Sequence, residues 1–556
     1  MNQEQCQDFL ETEVLIVGGG PVGLALAIEL GLQGRQCVLV ERNDRVGYAP
    51  RAKTTNVRTR EFLRRWGIAD RLAAASPFGI DYPSNVVFAT RLAGHELTRF
   101  SNAFYCSPAR DDRFAEHAQW IPQYKVEEVL RSRAAELPGV SLHFSTHLDD
   151  FSQDAEAVNA LLSDAVSGRQ MRVRAKYLVG ADGARSTVRA QLGVKMEGVS
   201  PLSHNHNIIF RAPGLALKHR LGPAVMYWLI NDEAPATLAP LDNDDRWTFG
   251  CARLEDPDAD PAVLIKAALG VDIDIEILSR DEWTAHQLIA AQYRRGRVFL
   301  AGDACHLHPP YGGHGMNMGI GDSVDLGWKL SAVLCGWGGS RLLDSYEIER
   351  RQMHKRVIDE AVANHAYKSR DLIAENIEAQ GPIGDSVRSE IAGIISRHKR
   401  REFDSLNIVL GGCYVHSPIL AMEEPDPENI EISSVYEPSA QPGCRAPHMW
   451  LTEGQGPGAS LFDHFRKDGF TLLVTSHAAA AAAPQVLKAA QQLDIPLAIL
   501  TLALPELHDL YQCDFALVRP DQHVAWRGNA AQPACDALER VAGRLPSSAI
   551  CPAAST

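Results

Sequence analysis

The chain predicts an α/β protein of about two or three domains, because 556 residues are too many for one hydrophobic core. Three observations carry that expectation. A β-branched apolar run, Glu13-Val14-Leu15-Ile16-Val17, feeds directly into Gly18-Gly19-Gly20-Pro21-Val22-Gly23 and a helical stretch. Between Asp182 and Gly302 the pattern changes to short alternating runs separated by Pro, Gly, Asn and Asp. Beyond residue 450, apolar strands again alternate with helices.

The first unit has the strand–turn–helix–strand order that a dinucleotide-binding fingerprint requires. Gly18 permits a tight turn, Gly20 lets the backbone approach a pyrophosphate, and Gly23 lets helix and strand pack closely. The helical stretch over 24–33 is stopped by Gly34, and the next strand, Cys37-Val38-Leu39-Val40, ends in Glu41-Arg42. An acidic side chain there accepts hydrogen bonds from a ribose hydroxyl. This unit alone serves NAD as well as FAD.

A polar loop, Pro50-Arg51-Ala52, leads to a helix over 56–66 closed by Gly67. Gln123 opens an amphipathic helix carrying Val126, Val129 and Leu130. An apolar strand over 177–180 then feeds Asp182-Gly183-Ala184-Arg185-Ser186-x-x-Arg189, where Asp182 is placed to cap the following helix. A third buried-strand pattern, Val298-Phe299-Leu300-Ala301, precedes Gly302-Asp303-Ala304. That stretch runs on into Pro309-Pro310-Tyr311-Gly312-Gly313-His314-Gly315-Met316-Asn317 and a strong helix over 319–334.

In the middle, residues 207–211, 224–230 and 246–250 read as antiparallel strands. Alternation puts Met226, Trp228 and Ile230 on one face and Val225, Tyr227 and Leu229 on the other. A helical region over 342–398 is followed by a proline-rich, aperiodic linker over 413–447. In the tail, 470–474, 497–500 and 515–521 are strand-like, and the alanines of 478–483 mark a helix start.

Composition sets the outer limits. Apolar residues at 45% and charged residues at 22% are ordinary for a globular chain. A net charge of -14 without a Lys/Arg stripe excludes a nucleic-acid surface. The polar N-terminus, with Glu4 and Asp8, is not a signal peptide, and no run approaches about 18 uninterrupted apolar residues, so no membrane span is expected. Eleven cysteines without a C-x-x-C pair are expected to be scattered reduced thiols in a cytoplasmic protein. His204-x-His206 has no cysteine nearby, and His306-x-His308 lies inside the glycine-rich stretch, so no metal is expected.

The three glycine-rich stretches, in this order, resemble the class A flavin-dependent aromatic (phenol-type) monooxygenases of the para-hydroxybenzoate hydroxylase-like fold. The middle stretch matches the family's D-G-x-R-S-x-V-R pattern through Val188 and Arg189. The resemblance implies a Rossmann-like FAD-binding domain with an inserted antiparallel substrate sheet and a C-terminal thioredoxin-like domain. The implied segments are 8–190 and 285–400 for the FAD domain and its helical return, 191–284 for the sheet, 401–450 for a linker and 451–548 for the tail. It implies FAD contacts from Gly18, Gly20, Gly23, Glu41, Arg42, Arg51, Gln123, Asp182, Gly302 and Asp303. The edge of the flavin ring is expected to meet Gly313, Gly315, Met316 and Asn317, where helix N–H groups stabilise negative charge.

Pro310, His314 and Arg51 are the catalytic candidates, with Pro310 forming the wall beside the reactive carbon. His314 departs from the family's usual amide or aromatic residue; it either touches substrate, sets ring mobility or is exposed. Pro310, Tyr227, Trp228 and Leu238 are the substrate-pocket candidates. The implied reaction uses NADPH or NADH and O2 to hydroxylate a small phenol through a flavin C4a-hydroperoxide. The alternatives are a polyketide-tailoring hydroxylase or Baeyer–Villiger oxygenase and, from another class, a non-catalytic FAD-binding protein. The W-x-W-x-I-P signature of flavin-dependent halogenases does not appear. Without C-x-x-C, the thioredoxin-like tail is expected to serve packing or oligomerisation, with a homodimer as one outcome.

Overall fold

A computed structural model describes residues 8–44, 52–243, 245–253, 256, 259–421 and 435–544. Its first sheet is built on Asp8–Val17, which pairs in parallel with Cys37–Val40 on one side and Gln170–Gly180 on the other. Val298–Leu300 and Val140–His143 extend it outward, also in parallel. The strands are apolar on both faces because helices cover both sides. The helices Pro21–Leu32 and Gly315–Leu334 lie close together there. A Cβ on Gly319 would stand 2.5 Å from Val22 Cγ2, and one on Gly327 would stand 2.7 Å from Glu29 Cβ. Only glycine allows that approach.

The second sheet has eight strands and is antiparallel except where Met226–Leu229 pairs in parallel with Val86–Ala89. Its long strands, Met196–Arg211 and Glu276–Ala290, run antiparallel across the domain. The sheet also takes Val86–Ala89 and Glu96–Phe100 from the segment assigned by sequence to the FAD domain, so it is not confined to 191–284. Val86-Val87-Phe88-Ala89 is buried on both faces and shows no alternation, which hid it from a period-two search. One face of the sheet packs against the helix Pro261–Leu269, and the other turns Phe88, Phe100 and Trp228 towards the glycine-rich loop.

The tail is thioredoxin-like. Its four strands run in the order Leu497–Thr501, Phe470–Val474, Phe515–Val518, Val524–Gly528 and are flanked by Ala483–Gln492 and Ala531–Val541. Its core is shared: Trp328, Trp337 and Leu342 of the preceding domain pack into it. One cysteine expectation is corrected. Cys413 and Cys444 form a disulfide across 31 residues, because an antiparallel bridge brings their backbones together near the two ends of the 413–447 stretch. No local spacing announces such a pair. Among the described residues, no helix is long and apolar enough to cross a membrane.

A buried charge cluster joins the tail to the helix Gly315–Leu334. Lys329 Nζ lies 2.8 Å from Asp325 and 2.6 Å from Glu349. Arg519, from the tail, contacts Asp325 at 3.0 Å, Glu349 at 2.8 Å and Asp521 at 2.5 Å. Three carboxylates thus face two cations in a dry interior, so the cluster retains a proton near neutrality. Burial, with Glu349 and Asp521 nearby, raises the Asp325 carboxyl to about 8 despite its cationic partners. A carboxyl raised on folding stabilises the fold below its unfolded value of about 4, and that contribution fades as pH rises through about 8. Unfolding free energy measured across that window is therefore expected to fall with rising pH, and Asp325→Asn is expected to flatten the slope.

Candidate active site

The first helix is left open at its N-terminus. Gly18 adopts φ +113°, and a Cβ there would stand 2.3 Å from the Ala181 carbonyl oxygen. Gly20 caps the helix with no side-chain hydrogen bond, and a Cβ on it would meet nothing within 4 Å. The first helical bond runs from Leu24 N–H to the Gly20 carbonyl, so the Val22 and Gly23 amides precede the ladder. Amides, dipole and empty space together make an anion cradle. Glu41 flanks it: one carboxylate oxygen accepts Gly19 N–H at 2.7 Å, and the other accepts Asn43 N–H and Nδ2–H at 3.0 and 2.7 Å. Arg42 is exposed beside it, and Arg51 lies outside the described residues.

Gln123 starts the helix Gln123–Ala135 and fixes the chain at residue 52. Its Oε1 accepts Ala52 N–H at 3.1 Å, and its backbone N–H donates to the Ala52 carbonyl at 2.9 Å.

The two later motifs come together beside the cradle. Ser186 is the N-cap of the short helix Thr187–Gln191, its Oγ accepting Arg189 N–H at 2.9 Å, and Asp182 supports that cap by accepting from Ser186 Oγ at 2.5 Å and from Val188 N–H at 3.1 Å. Arg189 donates to the Ala184 carbonyl at 2.7 Å and the Ala304 carbonyl at 2.9 Å, locking this turn to the one at Gly302. Gly302 adopts φ +62° and packs on Val22; Asp303, next to it, is half-buried.

The glycine-rich loop ends on the helix Gly315–Leu334. Gly312 and Gly313 adopt φ +82° and +66°, and a Cβ on Gly313 would stand 3.0 Å from Thr54. Asn317 is the fastening: its Nδ2 donates to the Thr54 and Gly313 carbonyls at 2.8 and 2.7 Å, and its Oδ1 accepts Asn56 N–H at 2.9 Å. The side chain is thus engaged by protein, and what Asn317 offers outward is its backbone N–H. The first bond of this helix runs from Met318 N–H to the His314 carbonyl, which leaves the Gly315, Met316 and Asn317 amides ahead of the ladder.

Pro310 is exposed on the loop, whereas His314 is 3% exposed. The surface placement offered for His314 is therefore corrected: its ring packs beneath Gly312, and burial with nearby His308 lowers its pKa to about 3.

Beneath the loop, Asp322 binds Arg350 at 2.7 Å, His354 at 2.8 Å and His306 at 3.2 Å, and accepts Gly302 N–H at 3.0 Å. Histidine and arginine partners hold its carboxyl well below the usual range against the opposing effect of burial. Cys305, His306, Asp322 and His354 bring metal-type donor atoms within 4.8 Å of one another. The Asp322 oxygens are already engaged there, and the Arg350 guanidinium opposes a second cation.

The structure divides the pocket candidates. Trp228 faces the loop, 6.0 Å from the Tyr311 ring, and stacks on Phe88 at 5.3 Å. Tyr227 and Leu238 lie on the opposite face, packed with Trp247 and Phe249, and the Tyr227 hydroxyl donates to the Gly222 carbonyl at 2.7 Å. Of these three sheet residues only Trp228 faces the glycine-rich loop, as strand alternation requires.

Sequence reasoning missed Thr54 and the buried pair Lys399 and Glu402. Lys399 Nζ sits 4.2 Å from the Trp228 ring and 5.0 Å from the Tyr311 ring, while Glu402 accepts Gly312 N–H. Only the i,i+3 spacing of the pair was visible in sequence.

Comparison with known proteins agrees with this geometry. The FAD binding domain family model matches residues 11–361, and the aromatic-ring hydroxylase C-terminal model matches 439–546. The chain is 34% identical to a 4-methyl-5-nitrocatechol 5-monooxygenase of Burkholderia sp, covering 93% of this chain and 94% of that one. It is 32% identical to a tetracenomycin B2 monooxygenase-dioxygenase of Streptomyces olivaceus, covering 94% and 96%. Superposition on the rebeccamycin biosynthetic enzyme RebC with reduced flavin gives a TM-score of 0.89 at 35% identity, covering 97% of this chain and 100% of that one. The chain belongs to the FAD-dependent aromatic-ring hydroxylases and is a flavoprotein monooxygenase.

The residues fit FAD. The space over Gly20 is the size test: a Cβ there meets no protein atom within 4 Å, which leaves room for a phosphate. Gly20→Val is expected to leave the melting temperature of the FAD-free protein nearly unchanged while lowering FAD retention after gel filtration by more than about tenfold. Asp303→Ala is expected to weaken retention too. Full retention in both variants would contradict this placement.

Proposed function

We propose that the enzyme hydroxylates a phenolic ring, using NADPH or NADH as reductant and O2 as oxidant. The observation that supports this best is the loop over residues 309–317, with its exposed Pro310, its left-handed glycines and a helix N-terminus behind it. FAD, when bound, supplies the two-electron carriage and oxygen activation that no side chain offers. In this reading the Val22 and Gly23 amides hold the pyrophosphate, Glu41 a ribose and Asp303 the ribityl chain. The Gly315, Met316 and Asn317 amides face the ring edge that becomes negative on reduction, where fixed N–H dipoles need no reorganisation. Pro310, Tyr311 and Trp228 form the apolar wall that orients the substrate ring and keeps water out. His314 stays neutral beneath the loop, so it supports the loop's shape and adds no charge there.

A second reading, a tailoring oxygenase for polycyclic polyketides, is favoured by the tetracenomycin relative, which is nearly as similar as the nitrocatechol one. Both readings share the cofactor chemistry and differ in how many rings the pocket holds.

The test is NADPH and NADH oxidation by the FAD-loaded enzyme across single-ring and fused-ring phenols, with product mass measured. Acceleration by a phenol with gain of one oxygen atom is expected. Oxidation that no aromatic accelerates, with no oxygenated product, would contradict the reading.

A further inference from the structure

One short segment, 399–404, ties the glycine-rich loop to the aromatic side of the second sheet. It follows the helix Pro382–His398 and contains the single turn Arg400–Phe403. Lys399 Nζ lies 4.2 Å from the Trp228 ring of the sheet and 5.0 Å from the Tyr311 ring of the loop. Glu402 accepts the N–H of Gly312, a loop residue held at φ +82° above His314. Phe403 meets Phe88, Phe100 and Phe104 at 6.1, 5.1 and 5.5 Å. Asp404 accepts the Tyr105 hydroxyl. Phe104 and Tyr105 both adopt φ 64°, which bulky residues keep only where their surroundings enforce it.

The charges in this segment are more than packing requires. Lys399 is fully buried, Glu402 is 3% exposed, and the two pair with each other. A buried ion pair rarely adds stability over apolar side chains of similar volume, because desolvation offsets the attraction. What it adds is fixed geometry, and here both partners are fastened to the site. An ammonium has three N–H groups. Glu402 takes one, and the Asn364 carbonyl takes another at 3.2 Å. The side of the ammonium left over lies against the rings of Trp228 and Tyr311, which stand 6.0 Å apart and tilted by 34°. One cation thus sets the spacing between a sheet residue and a loop residue.

Neither role has a substitute among the described residues. Arg401 is taken up by Glu360 at 2.8 Å, and Lys399 is the one cation in ion-pair contact with Glu402. Burial raises the Glu402 carboxyl, although Lys399 and the Gly312 N–H oppose it. His365 meets the Tyr311 ring at 5.3 Å, but burial lowers it to about 4, so it brings no charge.

We infer that Lys399 and Glu402 are positioning residues for the oxygenation: as one buried pair they draw the loop over residues 309–317 against the sheet and close the flavin ring off from water. Lys399 acts through Trp228 and Tyr311, and Glu402 acts through Gly312. The inference rests on the hydroxylase reading above, which sets the ring against this loop.

The test is iodide quenching of flavin fluorescence in the FAD-loaded enzyme, with no phenol present and well below each variant's melting transition. Two pairs of variants separate positioning from packing. Glu402→Gln keeps an oxygen for the Gly312 N–H, whereas Glu402→Leu keeps the volume and loses the acceptor. Lys399→Arg keeps the cation, whereas Lys399→Met keeps only the stem. Glu402→Leu and Lys399→Met are each expected to raise the quenching constant about fivefold, as loss of one hydrogen bond shifts an opening equilibrium. Glu402→Gln and Lys399→Arg should stay near wild type, and all four variants should retain FAD through gel filtration. Attraction of iodide cannot give this pattern, since both Glu402 variants lose the same charge and Lys399→Met loses a positive one. Quenching unchanged in Glu402→Leu and Lys399→Met, or raised equally within each pair, would overturn the inference. If one pair fails to fold, the other decides. Phenols that leave NAD(P)H oxidation unchanged would sink the hydroxylase reading without altering the quenching result, so the two failures are distinguishable.

Discussion

The helix Gly315–Leu334 carries a line of buried charge, Asp322, Asp325 and Lys329, and the rest of the molecule is assembled on that line. Asp322 reaches Gly302 N–H and, through Arg350, His354 and His306, the core beneath the cofactor loop. Asp325 and Lys329 reach Glu349 and the tail's Arg519. Buried charge is tolerated only when it is balanced, by ion pairs at Asp322 and by two cations and a retained proton around Asp325, so each contact fixes the helix in rotation and depth. Its first turn thereby presents the Gly315, Met316 and Asn317 amides at one place. The thioredoxin-like tail, which lacks C-x-x-C, acts as a buttress: its arginine and its core hold the far end of the helix whose near end carries the glycine-rich loop.

Close approach is the second constraint. Gly319 and Gly302 let this helix and the turn at Asp303 meet Val22, the residue after the phosphate-cradle proline. The open N-terminus of the first helix, the turn at Asp303 and the start of the long helix are thus set by backbones packed directly on one another. Side chains decorate that frame, as the positions of Glu41 and Asn317 show: both carboxylate oxygens of Glu41 and the amide of Asn317 are used to hold loops in shape.

Much of this was legible in the sequence because it is local. The strand–glycine–helix units, the turn at Asp182 and the loop at residues 309–317 each occupy consecutive positions, so spacing alone revealed them. Alternation correctly separated Trp228 from Tyr227, although the pocket candidates were drawn from both faces. What stayed hidden depends on distant pairing. Val86–Ala89 joins a sheet more than a hundred positions away, Arg519 finds Glu349 across the chain, and Cys413 meets Cys444 through a backbone bridge. His314 was unreadable for a related reason: whether a loop histidine is buried is decided by Gly312 folding back over it. The strained run at Phe104 and Tyr105 leaves no trace in residue type, since aromatic residues ordinarily avoid that region.

The claim that one helix couples the cofactor loop to the tail is tested most directly by unfolding the FAD-loaded protein with two signals recorded together. Flavin fluorescence reports release of the cofactor, and the fluorescence of the nine tryptophans, with Trp328, Trp337 and Trp526 of the shared core among them, reports unfolding of the chain including the tail. Coincident transitions are predicted, because neither end of the helix can open while the other stays packed. A tail that melts in a separate, earlier transition with the flavin still bound would contradict the account.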